Sequence, residues 1–150
     1  KGGGGQSGRI SYPLRGISVD LRDEIPGDNW YYAEIDGRWA GPGLTSTLQL
    51  PKMEDGQYQL DLDVVDAMAP EILDTMELLI NEQPIVWERL AEDYPALLRA
   101  RFTTQATSNN KYWSLAFRFK HNISPKDHGS DDDRQLAIRL RSVTLLRCDD

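Results

Sequence analysis

Two segments of the chain concentrate the side chains able to do chemistry. The first is Trp30-Tyr31-Tyr32-Ala33-Glu34-Ile35-Asp36-Gly37-Arg38-Trp39, which holds four aromatics in a chain with 4 Trp, 6 Tyr and 3 Phe. Flat aromatic faces accept the apolar face of a sugar ring, and a neighbouring carboxylate or guanidinium can hydrogen-bond the hydroxyls. Trp30, Tyr32 and Trp39 are the candidate stacking surfaces, with Glu34 and Arg38 as their polar partners. The competing reading is core or rim packing, the commoner fate of any one large aromatic.

The second segment runs from Ser124-Pro125 through Gly129-Ser130-Asp131-Asp132-Asp133-Arg134 to Leu136. Three consecutive carboxylates beside His128 invite a metal reading, a structural calcium above all. The spacing is not that of an EF-hand, whose ligands alternate around a glycine. No second histidine stands at a metal-binding interval. A solvated loop with an internal pair between an aspartate and Arg134 is the stronger reading, and no cofactor is expected.

Other chemistries have little to stand on. The 2 histidines, His121 and His128, sit in no nucleophile-elbow context. No glycine-rich loop follows a strand to cradle a phosphate. Arg134, Arg139, Arg141 and Arg147 read as surface ion-pair partners in a chain of net charge −7. That charge repels polyanions, so no nucleic-acid partner is expected. The chain is therefore expected to have no active site of its own.

The elements that must position these residues are strands. From Gln57 to Val65, Tyr58, Leu60, Leu62 and Val64 alternate with polar residues, the period of a half-buried strand. Trp113, Leu115, Phe117 and Phe119 repeat the pattern, as do Leu136, Ile138 and Leu140. Beyond Arg141 the apolar parity moves to Val143 and Leu145, which predicts a bulge near Arg141-Ser142. Further strands are expected at residues 16–21, 31–35, 46–50, 76–80, 85–87 and 100–103. Turn residues separate them, including Pro26-Gly27-Asp28-Asn29, Gly41-Pro42-Gly43 and Ser108-Asn109-Asn110. A hairpin turn is expected at Asn81-Glu82, with Asn81 suited to a positive φ. Residues 70–75 read as one helical turn, and the apolar spacing of residues 87–98 as a short helix ended by Pro95.

The expected fold is all-β: a two-sheet antiparallel sandwich or jelly roll with one or two short helical turns. The 150 residues fit one domain over residues 9–150, preceded by a linker-like stretch at residues 1–8. A single cysteine, Cys148, excludes an internal disulfide and suits a reducing compartment. No apolar run has the length of a membrane span, so membrane insertion is not expected.

Taken together, Glu34-Ile35-Asp36-Gly37-Arg38-Trp39 resembles an E-x-x-G-R-W element. Ser124-Pro125 with the run from Gly129 to Ile138 resembles an S-P…G-x-S-x-D-x-R-x-L-G-I element ending in a strand. Asn81-Glu82-Gln83-Pro84 is similar to a central N-G-x-x hairpin. The set resembles non-catalytic β-sandwich domains appended to bacterial glycosyltransferases and related polysaccharide-synthesis enzymes. The loop here is one residue shorter than the pattern, Ala137 replaces a glycine, and Glu82 replaces the hairpin glycine.

This resemblance implies a carbohydrate-binding-like accessory domain for surface-polysaccharide synthesis. It would be covalently linked to a glycosyltransferase domain and would hold a glycan acceptor. Its expected place is the cytoplasm, at the inner face of the membrane. Trp30, Tyr32, Glu34, Arg38, Trp39, Asp132 and Arg134 are the expected sugar-contacting set. The same residues admit a structural reading, with Arg38 paired to Asp132 or Arg134 to Glu34 as an internal clasp. A structural or protein-interaction domain, packing on a catalytic domain or on itself, is the alternative from another class.

Overall fold

The computed structural model describes residues 16–104 and 111–148. The linker expected at residues 1–8 and the turn expected at Ser108-Asn109-Asn110 lie outside these residues. Eleven strands are present among them: β1 (Gly16–Asp20), β2 (Gly27–Asp28), β3 (Arg38–Trp39), β4 (Thr45–Pro51), β5 (Gly56–Ala67), β6 (Glu77–Ile80), β7 (Gln83–Ile85), β8 (Trp87–Arg89), β9 (Ala96–Thr104), β10 (Tyr112–Arg118) and β11 (Ile138–Cys148). One sheet runs β1-β11-β5-β9-β8, with β3 also on β11; the other runs β2-β4-β10-β6-β7. Every named pairing is antiparallel. The fold is an all-β two-sheet sandwich, completed by helix α1 (Pro70–Asp74) and a 3-10 turn at Pro125–His128.

The period-two pattern explains the core. Tyr58, Leu60, Leu62 and Val64 of β5 are buried, and so are Trp113, Leu115, Phe117 and the following Phe119. The two sheets meet through these faces: Trp113 sets its edge against Tyr58 at 4.9 Å, and Tyr58 stacks on Phe102 at 6.1 Å. Burying a leucine or phenylalanine side chain contributes roughly 1.5–3 kcal/mol, so this alternation supplies much of the driving force.

The parity change in β11 is a bulge. Leu140 lies opposite Val64 and Ser142 opposite Asp63, which leaves Arg141 as the extra residue. A second register shift on β5 leaves Val65 unpaired between the Arg139–Asp66 and Leu140–Val64 positions. Ile138, Leu140, Val143 and Leu145 can therefore all face the core. The turn at Asn81-Glu82 joins β6 to β7, with φ of 49° and 69°.

Three expected elements differ. Residues 31–35 are not a strand but a loop fastened by isolated bridges between Trp30 and Ala40 and between Glu34 and Gly37. Their aromatic and β-branched composition mimics a strand, yet the alternation has no inward face: Ile35 is 93% exposed. Residues 85–87 are not one strand. Ile85 ends β7 in one sheet, Trp87 opens β8 in the other, and exposed Val86 carries the chain across. Residues 87–98 form no helix. They are β8, a turn and the start of β9, closed by Leu90 N–H donating to the Leu97 carbonyl at 2.9 Å. Arg89 stiffens that turn by donating to the carbonyls of Ala91 and Glu92, bonds that satisfy backbone groups a helix would have paired internally. Among the described residues, no helix is long and apolar enough to cross a membrane.

Candidate functional site

The two polar motifs meet at one edge of the sandwich, where β3 lies against β11. The second motif is a loop tied to itself. Buried Ser124 donates from Oγ to the Asp132 carbonyl at 3.2 Å and accepts the Lys126 N–H at 3.3 Å. The 3-10 turn after it ends at Gly129, whose φ of 92° suits glycine. The chain then returns through a bridge between Ile123 and Leu136 into β11. Serine, proline and glycine therefore build the turn that delivers Asp132 and Arg134.

Arg134 is the centre of this edge. Its Nη2 and Nε donate to the Asp132 carboxylate at 2.7 and 3.0 Å, and its Nη1 donates to Glu34 Oε2 at 3.2 Å. The guanidinium also covers the Tyr31 ring, 5.4 Å from its centroid. Tyr31 in turn accepts the Gln135 N–H on its hydroxyl at 3.1 Å. Hydrogen bonds from the Arg134 side chain and backbone hold the Asp132 carboxyl below its usual range. The Arg134 pKa is raised, chiefly by Asp132 and further by Glu34, against the opposing effect of burial.

Arg139 of β11 extends the network. It lies 3.3 Å from both Glu34 Oε1 and Asp36 Oδ1, and 3.8 Å from Asp66 Oδ2. Its guanidinium stands 5.2 Å from the centroid of the Trp39 ring, which is only 6% exposed. Glu34 thus joins two arginines, one from each side. A shared carboxylate between two guanidinium groups is a fixed electrostatic node rather than an open hydrogen-bonding group.

Arg38 does different work. It donates to three backbone carbonyls: Leu21 at 2.9 Å, Asp23 at 2.7 Å and Tyr31 at 3.2 Å. It ties the loop after β1 to the loop before β3, while Asp132 pairs with Arg134. Close backbone approach completes the edge. At Gly41, with φ of 145°, a Cβ would stand 2.1 Å from the Gln135 carbonyl oxygen.

Of the expected set, Glu34, Asp132 and Arg134 come together directly, and Trp39 joins them beneath Arg139. Trp30 packs away from them: its Nε1 donates to the Thr47 carbonyl at 2.9 Å, and its ring meets Phe117 edge-on at 5.5 Å. Tyr32 is 92% exposed at the tip of the loop. In the sequence Tyr31 belongs to no polar pattern, and Arg139 reads only as one of several surface ion-pair partners. The signal for Arg139 lies in the strand pattern, which puts it on the outer face of β11 opposite Asp66. The acidic loop brings no metal cage: among the described residues no group of three or more His, Cys, Asp or Glu side chains is placed to hold an ion. Comparison with protein-family models finds none that matches the chain, and comparison with curated proteins finds no match either.

Proposed function

We propose that the chain is a non-catalytic, carbohydrate-binding-like accessory domain of a bacterial glycosyltransferase engaged in surface-polysaccharide synthesis. The observation that supports this reading is the presentation of Tyr32. Its ring is 92% exposed, on a loop braced by the Glu34–Arg134–Arg139 node and by the carbonyl contacts of Arg38. A flat aromatic on a braced backbone offers its face to a sugar ring without the cost of ordering the loop that carries it. Glu34 and Arg134, each one-third exposed, are spent on one another and brace the base of the loop, so the sugar contact in this reading falls to the Tyr32 ring. In this proposal the domain holds acceptor glycan near a linked catalytic domain in the cytoplasm, at the inner membrane face.

A glycan array with the wild-type chain and Tyr32→Ala tests the proposal. The expected result is glycan binding by the wild type, a loss of at least about tenfold in Tyr32→Ala, and an unchanged Tm. An array without signal, or binding indifferent to Tyr32, overturns it.

One observation favours the interaction-domain reading. Ile35, at 93% exposure, sits beside Tyr32 on the same loop and offers an apolar tip to a protein surface. Ile35→Asp separates the readings, because it disrupts docking to a protein and leaves sugar stacking on Tyr32 in place.

A further inference from the structure

The loop that carries Tyr32 doubles back at Ile35-Asp36. Glu34 N–H donates to the Gly37 carbonyl at 2.7 Å, and Gly37 N–H donates to the Glu34 carbonyl at 3.4 Å. Asp36 therefore shares this loop with the exposed ring, and the short chain between them keeps their Cα atoms within about 14 Å. Its side chain is 40% exposed and lies 3.3 Å from Arg139 Nη1. Oδ1 is buried there without a hydrogen bond, which leaves Oδ2 as the oxygen that faces water. Arg139 is divided among Glu34, Asp36 and Asp66, so Asp36 holds only a share of one cation.

The surrounding edge is rich in acid. Four carboxylates, those of Glu34, Asp36, Asp66 and Asp132, share the two guanidinium groups of Arg134 and Arg139. Arg38 adds one cation, turned onto backbone carbonyls. Asp131 and Asp133 stand exposed on either side of Asp132, and among the described residues no cation lies within ion-pair distance of either. These residues thus hold six carboxylates, four and two, against three guanidinium groups, two and one. All three guanidinium groups are already engaged, so the charge left facing water beside Tyr32 is negative. An anionic sugar is repelled there, and a neutral one gains nothing from the field.

We propose that the Tyr32 loop selects saccharides that carry a free, protonated amino group, of the glucosamine class. The Tyr32 face stacks on the apolar C–H groups of the ring. The sugar ammonium is drawn to Asp36 Oδ2 on the same loop, and Asp131 and Asp133 attract further amino groups along an oligosaccharide. A hydroxyl or an N-acetyl group brings no charge to that place. The inference rests on the glycan reading of the Tyr32 loop and adds to it the sign of the ligand's charge.

Titration of the whole chain with the trimer of glucosamine, followed by amide NMR shifts in mildly acidic buffer, tests the proposal. The N-acetylated trimer is the neutral counterpart. The expected result is saturable movement of the Tyr32 and Asp36 signals, with the amino trimer bound at least about fivefold tighter than the acetylated one. That preference should shrink as salt rises. Asp36→Asn should reduce it. So should Asp131→Asn combined with Asp133→Asn, at exposed positions that carry no ion pair and therefore leave the fold in place. Tyr32→Ala should weaken the amino trimer at least about tenfold. Equal affinity for the two trimers, lost in Tyr32→Ala, overturns the inference and leaves the glycan reading standing. Amino-trimer binding that survives Tyr32→Ala, or a preference unchanged in both carboxylate variants, overturns it as well. No shift with either trimer at about 10 mM also overturns it, and the wider glycan reading then stands or falls with the array.

Discussion

Arg134 donates to Glu34 at 3.2 Å across 100 residues of chain. The contact joins the two polar motifs and fixes the loop before β3 onto the segment entering β11. It makes the motifs a clasp, and any ligand-binding role rests on what the clasp presents.

The energetic worth of that clasp is measurable by a double-mutant cycle. Glu34→Gln and Arg134→Ala should each lower stability by about 1–2 kcal/mol, with a coupling of about 0.5–1 kcal/mol in urea denaturation. Both side chains are one-third exposed, which keeps the coupling modest. Additive losses would show the contact to be energetically idle.

Arg38 should matter more to stability than to any ligand. Its three carbonyl partners lose their donors in Arg38→Ala, and about 2–4 kcal/mol should be lost. Arg38→Lys should recover only part of this, because an ammonium cannot span the same fork. Thermal and urea unfolding of both variants check the order.

Glu82 occupies a position made for glycine. Its φ of 69° in the two-residue turn after Asn81 costs a side-chain-bearing residue strain that glycine avoids. Glu82→Gly should raise stability by about 0.5–1 kcal/mol, seen as a higher urea midpoint at unchanged slope. A fall in the midpoint would mean that the turn is not held in this conformation in solution.

Acid should weaken the fold through Asp20. The Arg22 side chain first, and its backbone N–H second, hold the Asp20 carboxyl down to about 2 from its ordinary 3.8. A carboxyl depressed in the folded state stabilises fully above its unfolded value, and this contribution fades as pH falls through that window toward 2. Asp132 shifts in the same direction. Carboxyl NMR titration should place the Asp20 midpoint near 2. Asp20→Asn should lose less stability than the wild type between pH 5 and pH 2, values bracketing that window.

Much of the framework could be read from parity alone. Tyr58 through Val64 alternate cleanly because one face meets a second sheet and the other meets water. The bulge at Arg141 was visible because apolar residues changed parity there. The helix expected over residues 87–98 failed because Trp87, Leu90 and Tyr94 share helical spacing by coincidence; Trp87 spends its indole N–H on the Met76 carbonyl at 2.9 Å, and Leu90 and Tyr94 lie in a turn. In the Trp30–Trp39 segment, composition revealed the importance of the residues but not their division of labour. Trp30 and Trp39 turn inward, Tyr32 turns outward, and Arg38 serves backbone carbonyls, all decided by contacts with distant strands.

Val86 links those sheets in a single step, ending β7 on one side and opening β8 on the other. The Cα atoms of Ile85 and Trp87 can therefore stand no more than about 7 Å apart. At this point the sandwich is laced shut like the spine of a book, and its two covers cannot be levered open from there.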